Sequence, residues 1–430
     1  MLKIKVRLAD IVMSIANAID TISPKISSHH KNVAYIAWNI ANMMGLTANE
    51  KTHIVTSALI HDIGCLSLED RIDTLDFEMK NSMHHSIAGY LLLKEFGPLE
   101  IAADTVRFHH THWNHGKGVE SDGLKVPIEA HVIHLADRIE VLINKNKNIL
   151  AQETDIYKTI QEESGTMFHP EAVDALCKLR SIEHFWLYLD PLYINYKLDE
   201  YLESSPTVLT TEDLLNFSKM FGQIIDFKSR FTATHTTGVT ATALAIAKLM
   251  SLNEDTIKKI EIACNLHDIG KLAVPKEILE KPAKLDFDEF CIVRTHTFYT
   301  YNILRPIKGF EEISKLAAYH HERLEGDGYP FHVAKKELSM GAKIVTIADI
   351  FTAITEDRPY REGMKKNEVI KTFKDFEDLH SVDPSILGVL EENYEELNGA
   401  RKNAQSIAKE NYSQFRENML EMAGVAAANG

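Results

Sequence analysis

The chain reads LHDIG at residues 266–270 and LIHDIG at residues 59–64, and the positions of these two strings decide its organisation. His267 follows His235 by 32 residues and His61 follows His29 by 32, an offset of 206 that Asp20/Asp226 and Leu46/Leu252 share. Further on, His85 to His109 and His296 to His320 both span 24 residues at an offset of 211, and Asp137 and Asp349 stand 212 apart. HLAD (134–137) against TIAD (346–349) continues the match. A drift of six residues over more than a hundred positions marks a duplicated unit with short loop insertions.

The text around the repeat has a helical period. Val33, Ile36, Ala37, Ile40, Ala41 and Met44 follow the i, i+3, i+4, i+7 stripe after His29, and Val239, Ala243, Ile246, Ala247 and Met250 do so after His235. Alternating β patterns are scarce, and Gly/Pro punctuation falls between helical runs. The expected fold is all-α, two tandem helical bundles. Asp-Pro and Ser-Ser-Pro bracket the stretch Asp190 to Pro206, which places a boundary there: a first domain over 1–190, a second over 207–395, and a C-terminal helix and tail over 396–430. The charged, weakly amphipathic run Leu397 to Met422 is expected to be one helix. It serves either packing or a homodimer contact, and the sequence does not choose.

Composition narrows the function classes. Across 430 residues, 45% are hydrophobic and 25% charged, which suffices for ordinary globular cores. Lys+Arg 47 against Asp+Glu 62 leaves a net charge of -15, the wrong sign for wrapping long nucleic acid. A small anionic ligand would need local cations. No run approaches the roughly 20 apolar residues of a membrane span, and MLKIKVRLADIV alternates charge with apolar residues where a secretory core would be unbroken. Cys65, Cys177, Cys264 and Cys291 show no paired spacing. A reducing cytoplasm is the expected location.

The 21 histidines matter for where they sit. The second half supplies His235, His267, Asp268, His296, His320, His321 and Asp349; the first supplies His29, His61, Asp62, His85, His109, His110 and Asp137. Imidazole and carboxylate from several helical segments form a mixed ligand set for a borderline metal. Adjacent His-Asp on a helix differ by about 100° in direction, so each can meet a different partner, and an aspartate's two oxygens can bridge two ions. Two ions about 3.5–4 Å apart share a water, lower its pKa and clamp a phosphoryl group, which suits phosphoester hydrolysis.

HDIGK (267–271), HHERLEGDGYP (320–330) and ADIFTAITEDRPYR (348–361) together resemble the HD-GYP family of cyclic-dinucleotide phosphodiesterases, over about residues 210–390. The first half resembles only the broader HD superfamily, so the chain looks like the tandem type with a GYP-lacking HD domain in front. The resemblance implies one metal on His235, His267, Asp268 and Asp349, with Asp268 bridging to a second on His296, His320 and His321. Phe231 stands where members with a third metal carry a glutamate, so two ions, iron or manganese, are implied. Lys271 and Asp268 are the implied catalytic residues, and Arg358, Arg361 and Lys271 the implied substrate contacts. Gly326, Gly328 and Pro330 shape a tight loop at the site wall. Thr352 and Ser229 replace two family aspartates and alter the implied nucleotide contacts.

In the first half Cys65 replaces Lys271, His115-Gly116-Lys117-Gly118 replaces the GYP loop, and Asn146 replaces Arg358. That half is expected to bind metal yet catalyse poorly, in a regulatory or structural role; an independent HD phosphohydrolase is the alternative. The activity implied for the whole is opening of a cyclic dinucleotide, cyclic di-GMP or 3′,3′-cyclic GMP-AMP, to a 5′-phosphorylated linear product. The rival readings are a receptor that binds cyclic dinucleotide without turnover and a nucleotide phosphohydrolase.

Overall fold

A computed structural model describes residues 5–20, 28–65, 83–203, 207–228, 234–357, 362–379 and 381–429. Helices begin where the sequence supplies caps. Thr47 Oγ1 accepts from the Glu50 amide while Glu50 accepts from the Thr47 amide, a capping box that starts Ala48–Leu59. At the repeat-related position Asn253 accepts from the Thr256 amide and starts Glu254–Leu266. Asp286 with Glu289 starts Phe287–Leu304, and Ser339 starts Met340–Thr355. Strands among the described residues are two residues long. No described helix is long and apolar enough to cross a membrane.

The backbone divides into two compact units, formed mainly by residues 7–208 and 209–415. In the first, His29–Met43 packs against Ala48–Leu59 and Ile128–Leu142, and Met83–Lys94 packs against Glu100–Phe108. In the second, His235–Leu249 packs against Glu254–Leu266 and Met340–Thr355, while Phe287–Leu304 packs against Glu311–Ala318. The expected stripes form the cores: Val33, Ile36, Ala37, Ile40 and Ala41, and Val239, Ala243, Ile246 and Ala247, are fully buried. Met44 and Met250 are only half-buried, because each sits at its helix's C-cap.

Two boundaries differ from expectation. The stretch after Asp190 is a helix of the first unit, Ile194–Leu202, with Ile194, Leu198 and Leu202 buried and Tyr201 stacked on Trp38 at 3.8 Å. The units therefore divide near Leu209. The C-terminal helix runs Tyr394–Asn429, longer than 397–422, and its first turns belong to the second unit, where Tyr394, Leu397 and Arg401 are buried.

Glycine fixes how closely the site helices approach. A Cβ on Gly270 would lie 1.9 Å from the His296 carbonyl oxygen, and one on Gly64 would lie 2.0 Å from the His85 carbonyl oxygen, so in both units the HDIG glycine is the contact point of the next helix. We expect Gly270→Ala to cost about 3 kcal/mol in urea denaturation through forced displacement of that helix. Gly388→Ala, mid-helix with nothing within 4 Å of the added methyl, should instead stabilise by about 0.5–1 kcal/mol.

Candidate metal centres

The last carbonyls of a helix have no intrahelical donor. Four candidate histidines stand where they can supply one: His61 Nδ1 lies 2.8 Å from Ala58 O, His109 Nδ1 2.6 Å from Val106 O, His267 Nδ1 2.6 Å from Cys264 O, and His320 Nδ1 2.7 Å from Ala317 O. His296, inside its helix, reaches Val293 O at 2.6 Å in the same way. A carbonyl only accepts, so each Nδ1 carries a proton, and such a ring in its neutral form presents a bare Nε2 lone pair. Burial pushes His61 and His296 down to about 3 and His320 well below its ordinary value, which keeps these rings neutral. The His-Asp pairs thus sit in the turns that follow their helices and not, as expected, on the helices themselves. The negative ends of those helices point where cations are favoured.

In the second unit the donors converge on Asp268. Its Oδ2 lies 3.3 Å from His267 Nε2 and 2.5 Å from Lys271 Nζ, and its Oδ1 lies 3.5 Å from His296 Nε2 and 3.9 Å from His320 Nε2. His235, His267 and Asp268 form one group with mutually close donor atoms, and His296, His320 and His321 form another. Asp349 Oδ1 stands 3.0 Å from His235 Nε2. His296 Nε2 and His320 Nε2 face each other at 3.2 Å, two lone pairs that repel unless a cation lies between them. Donors held about 2.1 Å from one ion stand roughly 3–3.5 Å apart, so these spacings fit a divalent ion. His267 Nε2 and Asp268 Oδ1 are buried without hydrogen-bond partners, as ligands of an ion would be.

The surrounding charge has the same sense. Burial disfavours a charge on His235, but Glu356 and Asp349 outweigh it and lift the imidazole to about 10. A field that holds a proton there also favours a metal cation. The Glu356 carboxylate accepts from His235 Nδ1 at 3.2 Å and from Gln405 Nε2 at 3.3 Å, so the C-terminal helix braces a ligand from behind. Nothing in the sequence flagged Glu356. In the first unit the equivalent carboxylate is Glu140, three residues after Asp137, which accepts from His29 Nδ1 at 2.6 Å. Three residues after Asp349 stands Thr352, fully buried against Gly238, so its place is in packing and not at a nucleotide-contact surface.

The first unit repeats the arrangement. Asp62 Oδ2 faces His61 at 3.4 Å and His29 at 3.9 Å; Asp62 Oδ1 faces His85 at 3.4 Å and His109 at 3.5 Å. Asp62, His85, His109 and His110 form one group, and His29, His61 and Asp137 another. Two further residues enter that the repeat did not reveal. His30 joins His61 and Asp62 in a third group. Arg138, 1% exposed, donates to Asp137 Oδ2 at 2.6 Å, so an arginine does reach this site although none was expected.

A cleft of about 450 Å³, within the range of small-molecule sites, opens onto His320 and His321. Arg294, Tyr329, Phe290 and Ile350 also line it, and the Arg294 guanidinium lies over the Tyr329 ring at 4.7 Å. Sequence reading missed Arg294, which no motif contains. The GYP loop closes on the His-His turn: a Cβ on Gly328 would meet Glu322 Cα at 2.5 Å, Tyr329 N–H donates to His321 O at 3.2 Å, and the buried Glu322 carboxylate accepts from the Phe331 and Val333 amides at 2.7 and 3.0 Å. Gly118 fills the corresponding place in the first unit, where a Cβ would lie 2.0 Å from His112 O. Arg358, Arg361, Phe231 and Ser229 lie outside the described residues.

HD domain models match residues 26–142 and 219–386. The chain is 29% identical to 3′3′-cGAMP-specific phosphodiesterase 1 of Vibrio cholerae over 90% of this chain and 92% of that one. It is 31% identical to phosphodiesterase 3 of the same organism, over 68% of this chain and 62% of the relative, and 38% identical to a cyclic di-GMP phosphodiesterase of Pseudomonas aeruginosa over 33% and 34%. It thus spans nearly the whole of the first relative and less than two thirds of the other two. The crystal structure of a cyclic GMP-AMP specific phosphodiesterase from V. cholerae has the same fold, with a TM-score of 0.64 and 23% identity, over 94% of this chain and 98% of that one.

The brace on His235 is directly testable. Glu356→Ala should weaken metal binding by about 10- to 100-fold, read by chelator competition, with the helical circular dichroism of the protein unchanged.

Proposed function

We propose that this chain, which belongs to the HD-domain family and carries two such domains in tandem, hydrolyses a 3′,5′-cyclic dinucleotide in its second unit. The observation that carries the reading is the opposed pair of Nε2 lone pairs, His296 and His320 at 3.2 Å, beside the two-faced Asp268 at a cleft lined by a cationic side chain. Two divalent ions, iron or manganese, held by His235, His267, Asp268 and Asp349 and by Asp268, His296, His320 and His321, would supply Lewis acidity and an acidified water. The products are a linear 5′-phosphorylated dinucleotide and, on a second cut, mononucleotides. The relative aligned along almost the whole chain is named a 3′3′-cGAMP-specific phosphodiesterase, which supports that substrate beside cyclic di-GMP.

The chain's own residues divide the remaining work. The Lys271 ammonium holds Asp268 Oδ2 at 2.5 Å and brings positive charge to the place where a phosphate oxygen gains negative charge. Arg294, stacked on Tyr329, meets the anionic ligand at the cleft wall, and Tyr329 offers an aromatic face for a base. Arg358 and Arg361 are assigned to phosphate and guanine contacts by motif. Glu322 fixes the loop that walls the cleft. In the first unit, His29, His61, Asp62, His85, His109, His110 and Asp137 would hold metal without efficient turnover, since Cys65 stands in place of Lys271 and Arg138 is engaged with Asp137. Cys65, Cys177, Cys264 and Cys291, with no paired spacing in the sequence, suit a reducing cytoplasm.

Chromatographic analysis of the reduced, Mn- or Fe-loaded protein given each cyclic dinucleotide separately tests the reading. Turnover is expected and should be lost in His321→Ala; absence of turnover with ions bound would favour a receptor instead. Arg294→Ala should raise KM about tenfold or more with a smaller change in kcat, read from initial rates.

A further inference from the structure

The first unit holds an imidazole that the duplication does not account for. His30 is 2% exposed, and its Nδ1–H donates to Asp20 Oδ1 at 2.7 Å, which leaves Nε2 aimed at Asp62 Oδ2, 4.0 Å away, with no hydrogen-bond partner. The ring lies 4.9 Å from His61 and 5.1 Å from His29, centroid to centroid. The second unit keeps the orienting carboxylate and changes what it orients. Asp226 stands where Asp20 does, but its partner is Thr236, whose hydroxyl donates at 2.7 Å. A threonine is too short to reach the metal position.

His61 belongs to two donor groups, one with His29 and Asp137 and one with His30 and Asp62. An imidazole Nε2 has a single lone pair, so both groups describe one ion and not two. We propose that His30 is a fifth protein ligand to the divalent ion held by His29, His61, Asp62 and Asp137. This closes a coordination position that the second unit, with Thr236, leaves to water and substrate. Closed protein coordination is the signature of a structural ion, and an open position that of a catalytic one. The inference rests on the reading that the first cluster binds metal, and it identifies what separates the two units chemically: a swap of threonine for histidine one residue past the first ligand. The engagement of Asp137 Oδ2 by Arg138 works in the same direction, because it withdraws an oxygen that could otherwise hold a water.

The test uses the full chain with His267→Ala and His320→Ala, so that bound ions report on the first unit. In this background we compare His30→Thr, His30→Gln and His61→Ala by metal content, chelator competition, and the pulsed-EPR imidazole count and water-proton relaxivity of bound Mn²⁺. His30→Thr should weaken one ion by about tenfold or more, remove one imidazole and admit about one exchangeable water; His61→Ala should lose that ion. His30→Gln, which keeps a donor toward Asp20, gives the same comparison should the threonine variant fold poorly. If His30→Thr leaves affinity, imidazole count and relaxivity unchanged while His61→Ala loses the ion, His30 is no ligand and the first-unit metal stands. If His61→Ala also leaves metal content unchanged, the underlying reading falls and the proposal with it.

Discussion

The bond from imidazole Nδ1–H to the carbonyl three residues earlier is the interaction on which both sites depend. It occurs at His61, His109, His267, His296 and His320, and at His61, His109 and His320 it satisfies a carbonyl that the end of a helix would leave unpaired. One contact thus finishes the helix, fixes the tautomer and sets the ring's direction. The ligand sphere is assembled as a by-product of terminating helices, and its lone pairs converge because the helices do.

The two units spend this common frame differently. Each backs its first histidine with a carboxylate, but the first unit takes it from one helical turn beyond its last aspartate, Glu140, and the second from two turns beyond, Glu356. The longer reach requires support, which Gln405 and the C-terminal helix provide. In the second unit Ile350 lines an open cleft; at the matching position of the first, Arg138 occupies the buried space beside Asp137. Small changes at matched positions therefore leave one centre accessible and fill the other with protein groups.

Much of this was legible in the sequence, because duplication turns spacing into evidence. The intervals of 32 and 24 residues located the donor groups before any helix was placed, and the apolar stripes after His29 and His235 located the core. What escaped reading was of another kind. His30, Glu140, Glu356 and Arg294 belong to no repeated string, and the two carboxylates acquire their role from partners far along the chain, Glu140 from His29 at a separation of 111 residues and Glu356 from His235 at 121. The position of the His-Asp pairs after their helices also escaped, since the helical period runs up to the histidine and nothing in the text marks where the backbone leaves it. The length of the first unit was underestimated because Ile194, Leu198 and Leu202 lie in an acidic, aromatic stretch whose apolar face is narrow.

The contact between Gly270 and the His296 carbonyl leaves no room for a side chain. Two backbones already touch there, and they stand between the Asp268 turn and the helix that carries His296. The approach of those two segments is therefore a mechanical stop set by main-chain atoms. The pair of glycines, Gly64 and Gly270, therefore sets in each unit how near the His-Asp turn stands to the helix that carries the next histidine.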